Sequence, residues 1–177
     1  MRKAVILLAS LAALASTPLR AELPVGSKAP LFSAATAKDG KAGRFSLSRA
    51  LKRGPVVLYF YPKAFTPGCT LEAHAFAEAT DDFAAAGATV LGMSADNLET
   101  LKRFSVEECR SKFAVGVAVP SVIAAYDVAV GKSGLASRTS YVIAQNGKVV
   151  LVHSDRDYRE HVAKTLAAVR ALAQRKR

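Results

Sequence analysis

Residues 56–61 read Val-Val-Leu-Tyr-Phe-Tyr, six apolar or aromatic positions without a polar break. A run of that length with turn formers on both sides predicts a strand buried on both faces; here Gly54-Pro55 precede it and Pro62, which cannot extend a ladder, follows. Thr66-Pro67 then has the form of a helix opening, a hydroxyl residue followed by proline in the first turn. The helix is expected to run to about residue 86, with Phe76, Ala79 and Phe83 as its apolar stripe and Gly87 as its terminator. Residues 89–94 predict a second short strand, and Asp96-Asn97 a cap for a helix that begins near Leu98 and buries Leu101 and Phe104. Strand, helix, strand, helix implies a parallel unit.

The flanks read less regularly. Residues 23–37 predict an extended lead-in, Asp39-Gly40 the turn of a short hairpin, and 45–48 a brief strand passing into a helical turn over 49–52 capped at Ser48. Beyond the parallel unit, 115–119 predict a strand broken by Pro120, 121–126 a short helical turn, and 131–137 a glycine-rich loop. The clearest hairpin joins 139–144 to 149–153 through Asn146-Gly147, a pair that accepts the positive φ values of a tight turn. A final helix over 157–175 places Val162, Leu166, Val169 and Leu172 on one side. The whole predicts an α/β fold: a central mixed β-sheet flanked by helices on both faces.

Cys69 falls in the first turn of the helix after the central strand. Backbone N–H groups there lack intrahelical partners and the helix dipole is positive, so the site favours a thiolate, the nucleophilic form of sulfur. Thr66, three residues earlier, shares a face with Cys69, and its hydroxyl is positioned by that spacing to donate to sulfur or to a bound oxygen. The other cysteine, Cys109, lies eleven residues after Leu98 and returns to nearly the same direction if that helix stays regular. Neither cysteine belongs to a CxxC pair, which weakens a disulfide-exchange reading. His74, five residues after Cys69, is accompanied by no converging ligands in sequence, so no metal site is expected; His153 and His161 carry no sequence signal.

Pro62, Thr66 and Cys69 reproduce a Pro-x-x-x-Thr-x-x-Cys signature, and the surrounding YFYPKAFTPGCT resembles the bacterioferritin-comigratory or peroxiredoxin Q branch of the peroxiredoxins. The resemblance implies a thioredoxin-like fold from about residue 24 onward, and a thiol-dependent peroxidase that reduces hydrogen peroxide and organic hydroperoxides without a cofactor. Cys69 is then the nucleophile that becomes a sulfenic acid, and Pro62 shields it. Arg138, in the segment RTSYVI, matches the family's arginine, and Glu72 falls where many members carry an acid able to hold that arginine. Many peroxiredoxin Q proteins have a second cysteine five residues after the nucleophile, where this chain has His74. Resolution is left to Cys109 or to an external thiol, such as that of a thioredoxin-like protein. Tyr59 and Phe65 are read as packing around the pocket. Two competing readings are an exported thioredoxin-fold thiol-disulfide oxidoreductase and a non-enzymatic holdase or interaction module.

At 51% hydrophobic and 22% charged, 177 residues can bury one core. Arg2 and Lys3 precede an apolar run over 4–15 interrupted only by Ser10, the layout of a secretory signal and too short for a membrane span of about 20 residues. Cleavage is expected after Ala15 or Ala21, which leaves a single domain over 22–177 in a periplasmic or otherwise exported location. Loss of Arg2, Lys3 and Arg20 lowers the net charge from +11 to +8. The remaining cations are dispersed, with no groove-reading motif, so a solvated basic surface is expected rather than a nucleic-acid partner. The mature chain is expected to be a monomer or dimer without stable membrane insertion.

Overall fold

The computed structural model describes residues 22–175, so the leader expected over 1–21 lies outside the described residues. Along the chain run β1 (Ser33–Lys38), β2 (Lys41–Ser46), α1 (Leu47–Arg53), β3 (Val56–Phe60), α2 (Pro67–Glu78), α3 (Thr80–Ala85), β4 (Thr89–Ser94) and α4 (Leu98–Glu107). They are followed by β5 (Ala114–Val117), α5 (Pro120–Ala125), β6 (Thr139–Ile143), β7 (Val149–Ser154) and α6 (Arg159–Gln174). The strands form one sheet in the order β2-β1-β5-β4-β3-β6-β7. β3, β4 and β5 pair in parallel, while β1, β2, β6 and β7 add antiparallel pairs on the two sides.

β3 lies inside the sheet and is buried on both faces because its apolar run satisfies both at once. Val56, Leu58 and Phe60 join one core with Leu91, Met93, Val122, Tyr126 and Tyr141. Val57, Tyr59 and Tyr61 point the other way, into a core with Phe76, Phe83, Leu101, Phe104 and Val169. Period-two alternation thus divides one apolar strand between two layers. Helices α1 and α5 cover the first face and α2, α3, α4 and α6 the second. At the start of β3, a Cβ on Gly54 would collide with the carbonyl of Gly87, so the closest approach of these two turns requires a glycine.

Several boundaries shift for local reasons. The helix expected to run to about residue 86 breaks at Ala79, because the Thr80 hydroxyl donates to the Phe76 carbonyl at 2.9 Å and bends the backbone there. The helix expected over 49–52 is longer, Leu47–Arg53, with Ser46 rather than Ser48 at its N-cap. α4 stops at Glu107, and Arg110 and Ser111 take left-handed φ values of 49° and 57°, so Cys109 sits in a turn rather than on the helix. β5 begins and ends earlier than expected, at Ala114 and Val117, and α6 starts only at Arg159.

Candidate active site

The loop between β3 and α2 is held in one shape. Tyr61 N–H donates to the Met93 carbonyl at 3.0 Å, and Ala64 N–H to Asp96 Oδ2 at 2.8 Å, while Ser94 Oγ donates to the same oxygen at 2.8 Å. Asp96 therefore anchors this loop, and Asn97 alone caps α4, accepting from Thr100 N–H at 2.9 Å. Phe65 adopts φ 62°, an uncommon conformation for a bulky residue. Its ring meets Phe104 edge-on at 5.2 Å under the Arg103 guanidinium, a packing contact that braces the loop against α4. Tyr59 packs beneath α2, stacked on Phe76 at 4.2 Å.

α2 opens on Pro67, which puts Cys69 third in the helix and buried at 2% exposure. Thr70 N–H makes the first intrahelical bond, to the Thr66 carbonyl at 2.9 Å, so the N–H of Cys69 belongs to the orphan donors of the first turn. Thr66 occupies the N-cap, but its hydroxyl donates to the Lys63 carbonyl at 2.9 Å and makes no cap bond. The donation to sulfur expected from spacing is therefore not made: a hydroxyl has one hydrogen, and the carbonyl three residues back takes it.

Arg138 reaches the sulfur from the neighbouring strand. Thr139 is paired with Phe60, so the residue before β6 stands beside the exit of β3. Nη2 lies 3.6 Å from Cys69 Sγ, Nη1 donates to Gly68 O at 3.4 Å and to Glu72 Oε2, and Nε donates to the Arg156 carbonyl at 3.0 Å. A Cβ on Gly68 would stand 3.0 Å from Nη2, which makes this glycine the gap through which the guanidinium reaches the helix. Pro62, Val130, Leu135, Arg138 and Arg156 help line an open cleft of about 690 Å³ on this side. The guanidinium bonds at once to sulfur, to helix backbone and to an acid, a use of its planar fork that lysine cannot reproduce.

Behind the arginine, Glu72, the acid expected to hold it, is part of a buried polar group whose other members, His161 and Ser140, sequence reasoning missed. Glu72 and His161 both have zero exposure, with Glu72 Oε1 3.7 Å from His161 Nδ1. Ser140 Oγ is 2.8 Å from the same nitrogen, and Nε2 is 3.1 Å from the Asp155 carbonyl. Burial pushes the Glu72 carboxyl up to about 8 against the opposing pull of Arg138, and pushes His161 down to about 4. No local signal marked His161, because only the docking of α6 on the sheet shows that its side of the helix is buried.

These two groups give opposite pH dependences. The folded chain holds a Glu72 proton that the unfolded chain, with its carboxyl near 4.5, has released; that stabilisation is complete below 4.5 and is lost as pH rises through about 8. The His161 contribution is present above 6.5 and is lost as pH falls through about 4. The slopes oppose between 4.5 and 6.5, and above 6.5 only the Glu72 loss remains. Unfolding free energies from urea titrations are expected to fall between pH 6.5 and 8 with a limiting slope of about 1.4 kcal/mol per pH unit. Glu72→Gln should flatten this limb, and an unchanged slope in that variant would refute the assignment.

Cys109 is fully buried in the same core layer as Cys69. Burial, reinforced by neighbouring Glu108, pushes its thiol strongly up, so it rests neutral. Its turn is tied to α2 and α3 by a Glu108–His74 hydrogen bond at 2.7 Å and by ion pairs of Arg110 with Glu78 at 3.1 Å and Lys112 with Asp81 at 3.5 Å.

A thioredoxin-like sheet with a cysteine in the first turn of the helix after its central strand, faced by a guanidinium, defines a thiol-redox protein. The AhpC/TSA family matches residues 25–152, and the chain belongs to it. It is 36% identical over 172 residues to the chloroplastic peroxiredoxin Q of Sedum lineare, covering 89% of this chain and 86% of that one. The crystal structure of peroxidoxin BcpB from Mycobacterium tuberculosis superposes with a TM-score of 0.73 at 35% identity, over 84% of this chain and 97% of that one. The bacterioferritin comigratory protein of Xanthomonas campestris gives a TM-score of 0.69 at 28% identity, over 78% and 91%. The protein is a thiol-dependent peroxidase with a hydroperoxide substrate and a thiol reductant. The disulfide-oxidoreductase and holdase readings are not favoured.

Proposed function

We propose that Cys69 is the peroxidatic nucleophile, with Arg138 holding sulfur and peroxide oxygen together and Glu72 holding Arg138. The observation that carries this is the Arg138 Nη2 contact with Cys69 Sγ at 3.6 Å, at the positive end of α2. The thiolate attacks the near peroxide oxygen, the O–O bond breaks, and alkoxide or hydroxide leaves with the electron pair and takes a proton. Sulfur is oxidised to the sulfenic acid and the peroxide is reduced to alcohol or water. Arg138 stabilises charge on both oxygens as it develops. Pro62 walls the cleft, and Thr66 ties the loop through Lys63. The apolar side of the cleft, with Val130 and Leu135, supports organic hydroperoxides as substrates beside hydrogen peroxide, in keeping with the alkyl peroxide reduction activity named for the Xanthomonas campestris relative. Peroxide added to reduced protein tests this reading: mass spectrometry should find one oxygen atom gained at Cys69 within the first turnover.

The sulfenic acid condenses with a second thiol to give a disulfide and water. That thiol is Cys109, once its clamped turn unwinds, or the thiol of a thioredoxin-like reductant. Cys109→Ser is expected to keep the rate of the first oxidation within about twofold, because the Arg138 contacts go to Cys69, Gly68, Glu72 and Arg156 and not to this thiol. Loss of that first step would refute its placement outside the peroxide site. An intramolecular disulfide in the wild type assigns resolution to Cys109, and a mixed disulfide with added thiol assigns it to the external partner.

We further infer a periplasmic or otherwise exported protein, acting as a monomer or dimer with no nucleic-acid partner. Arg2 and Lys3 ahead of the apolar 4–15 run support export, and among the described residues no helix is long and apolar enough to cross a membrane. A full-length chain recovered with its N-terminus intact in the cytosolic fraction would count against export.

A further inference from the structure

The end of the sheet away from Cys69 carries a cleft of about 340 Å³ that peroxide chemistry does not use. Thr89, on its wall, pairs with Val56 at the start of β3, whereas Arg138 reaches sulfur from beside Phe60 at the end of that strand. Lys38, Arg44, Arg53 and Lys112 all line the cleft, and no aspartate or glutamate does. They come from separate elements: Lys38 ends β1, Arg44 is in β2, Arg53 ends α1, and Lys112 stands two residues before β5.

Elsewhere on the surface cations find acids, as Lys41 does with Asp39, Lys102 with Glu99 and Arg170 with Asp82. Here, among the described residues, Lys38, Arg44 and Arg53 make no ion pair and no side-chain hydrogen bond. Lys112 alone has an acid, the exposed Asp81 at 3.5 Å. Like charges gathered round one concavity repel each other, and the field they sum to attracts an anion.

The floor adds a donor. Thr36 lines the cleft at only 6% exposure, and its hydroxyl makes no hydrogen bond. Gly43 stands opposite it on β2, where a Cβ would come within 3.3 Å of Thr36 Oγ1, so the glycine leaves that oxygen uncovered. An unpaired hydroxyl in a nearly buried residue costs free energy that a ligand oxygen would recover. Protection of the edge strand β2 against pairing accounts for Lys41 and Arg44. It does not account for Arg53 on α1, for Lys112 ahead of β5, or for the open hydroxyl of Thr36.

We propose that this cleft binds a compact anion with several charges, of the oligophosphate class. Arg44 and Arg53 supply planar forks that match phosphate oxygens, Lys38 and Lys112 act as point charges, and Thr36 donates from the floor. A single carboxylate would leave most of this positive charge unbalanced. The volume lies within the range of small-molecule sites. The site is separate from the peroxidase centre, and its occupation does not depend on the chemistry of Cys69.

Calorimetric titration of the reduced protein with pyrophosphate tests this, in ~0.15 M salt, where exposed charges more than about 8 Å apart are largely screened. One saturable site is expected. Arg53→Ala should weaken binding by roughly ten- to a hundredfold, and Thr36→Val, close in shape but without the hydroxyl, by roughly three- to tenfold. Lys148→Ala removes one charge beside β7, at the opposite edge of the sheet, and should change the affinity by less than about twofold. Equal losses from Arg53→Ala and Lys148→Ala would reduce the effect to net charge and overturn the proposal, as would the absence of saturable binding. Pyrophosphate that shields Cys69 from iodoacetamide would place the anion on Arg138 and Arg156 instead. A DNA oligonucleotide bound more tightly than pyrophosphate would replace the small anion with nucleic acid, and either result defeats the assignment. Arg53 and Lys148 are exposed, so their variants keep the test open if Thr36→Val does not fold.

Discussion

Cys69→Ser is expected to reduce peroxide consumption by on the order of a thousandfold or more, to the level of a chain with no reactive thiol. Serine keeps the size of the side chain but not its chemistry. Its hydroxyl does not ionise near neutrality, and an oxygen nucleophile has no accessible counterpart of the sulfenic acid to form. The remaining thiol cannot substitute, because Cys109 is buried, held neutral and clamped in its turn. The measurement is peroxide loss against time with reduced protein in excess, paired with mass spectra of both cysteines. A Cys69→Ser variant that still consumes peroxide while Cys109 gains oxygen would reverse the assignment of the two thiols. Binding of hydroperoxide to the cleft should survive the substitution, since Pro62, Val130, Leu135 and Arg156 are untouched.

Arg138→Met is expected to slow Cys69 oxidation by about a hundredfold, the usual scale for removal of one donor aimed at developing charge. Four interactions are lost together: the Nη2 contact with sulfur, the Nη1 bonds to Gly68 O and Glu72 Oε2, and the Nε bond to the Arg156 carbonyl. Arg138→Lys should fall between wild type and Arg138→Met, because an ammonium keeps the charge but cannot reach all of these partners. Alkylation by iodoacetamide supplies the control. It needs the thiolate but breaks no O–O bond, so Arg138→Met should slow alkylation less than it slows peroxide reduction. Equal losses in the two reactions would limit Arg138 to stabilising the resting thiolate, and a peroxide rate within threefold of wild type would remove it from the site.

Much of this machinery was legible along the chain because it depends on neighbours in sequence. The apolar run of β3, the proline at the opening of α2 and the Asn146-Gly147 hairpin follow from local backbone preferences, and all three stand where the pattern placed them. Cys69 is in the first turn for the same reason. Details governed by one hydrogen bond were not legible. Thr66 was expected to donate to sulfur or to a bound oxygen, but the Lys63 carbonyl takes its hydrogen; α2 was expected to continue, but Thr80 bends it at Ala79. Spacing places a side chain on a face, and the choice of acceptor on that face depends on which oxygen is nearer.

The sequence alone determined the alternation of elements, the place of the proposed nucleophile and the helix terminus beside it, since each is set by residues within a few positions of one another. Tertiary structure alone decided what stands around the sulfur. Antiparallel pairing of β6 with β3 brings Arg138 to Cys69, and the packing of α6 on that face brings His161 to Glu72. Contacts of this kind depend on register and helix docking, which are fixed by burial summed over the whole core and leave no local pattern beside the residues they join.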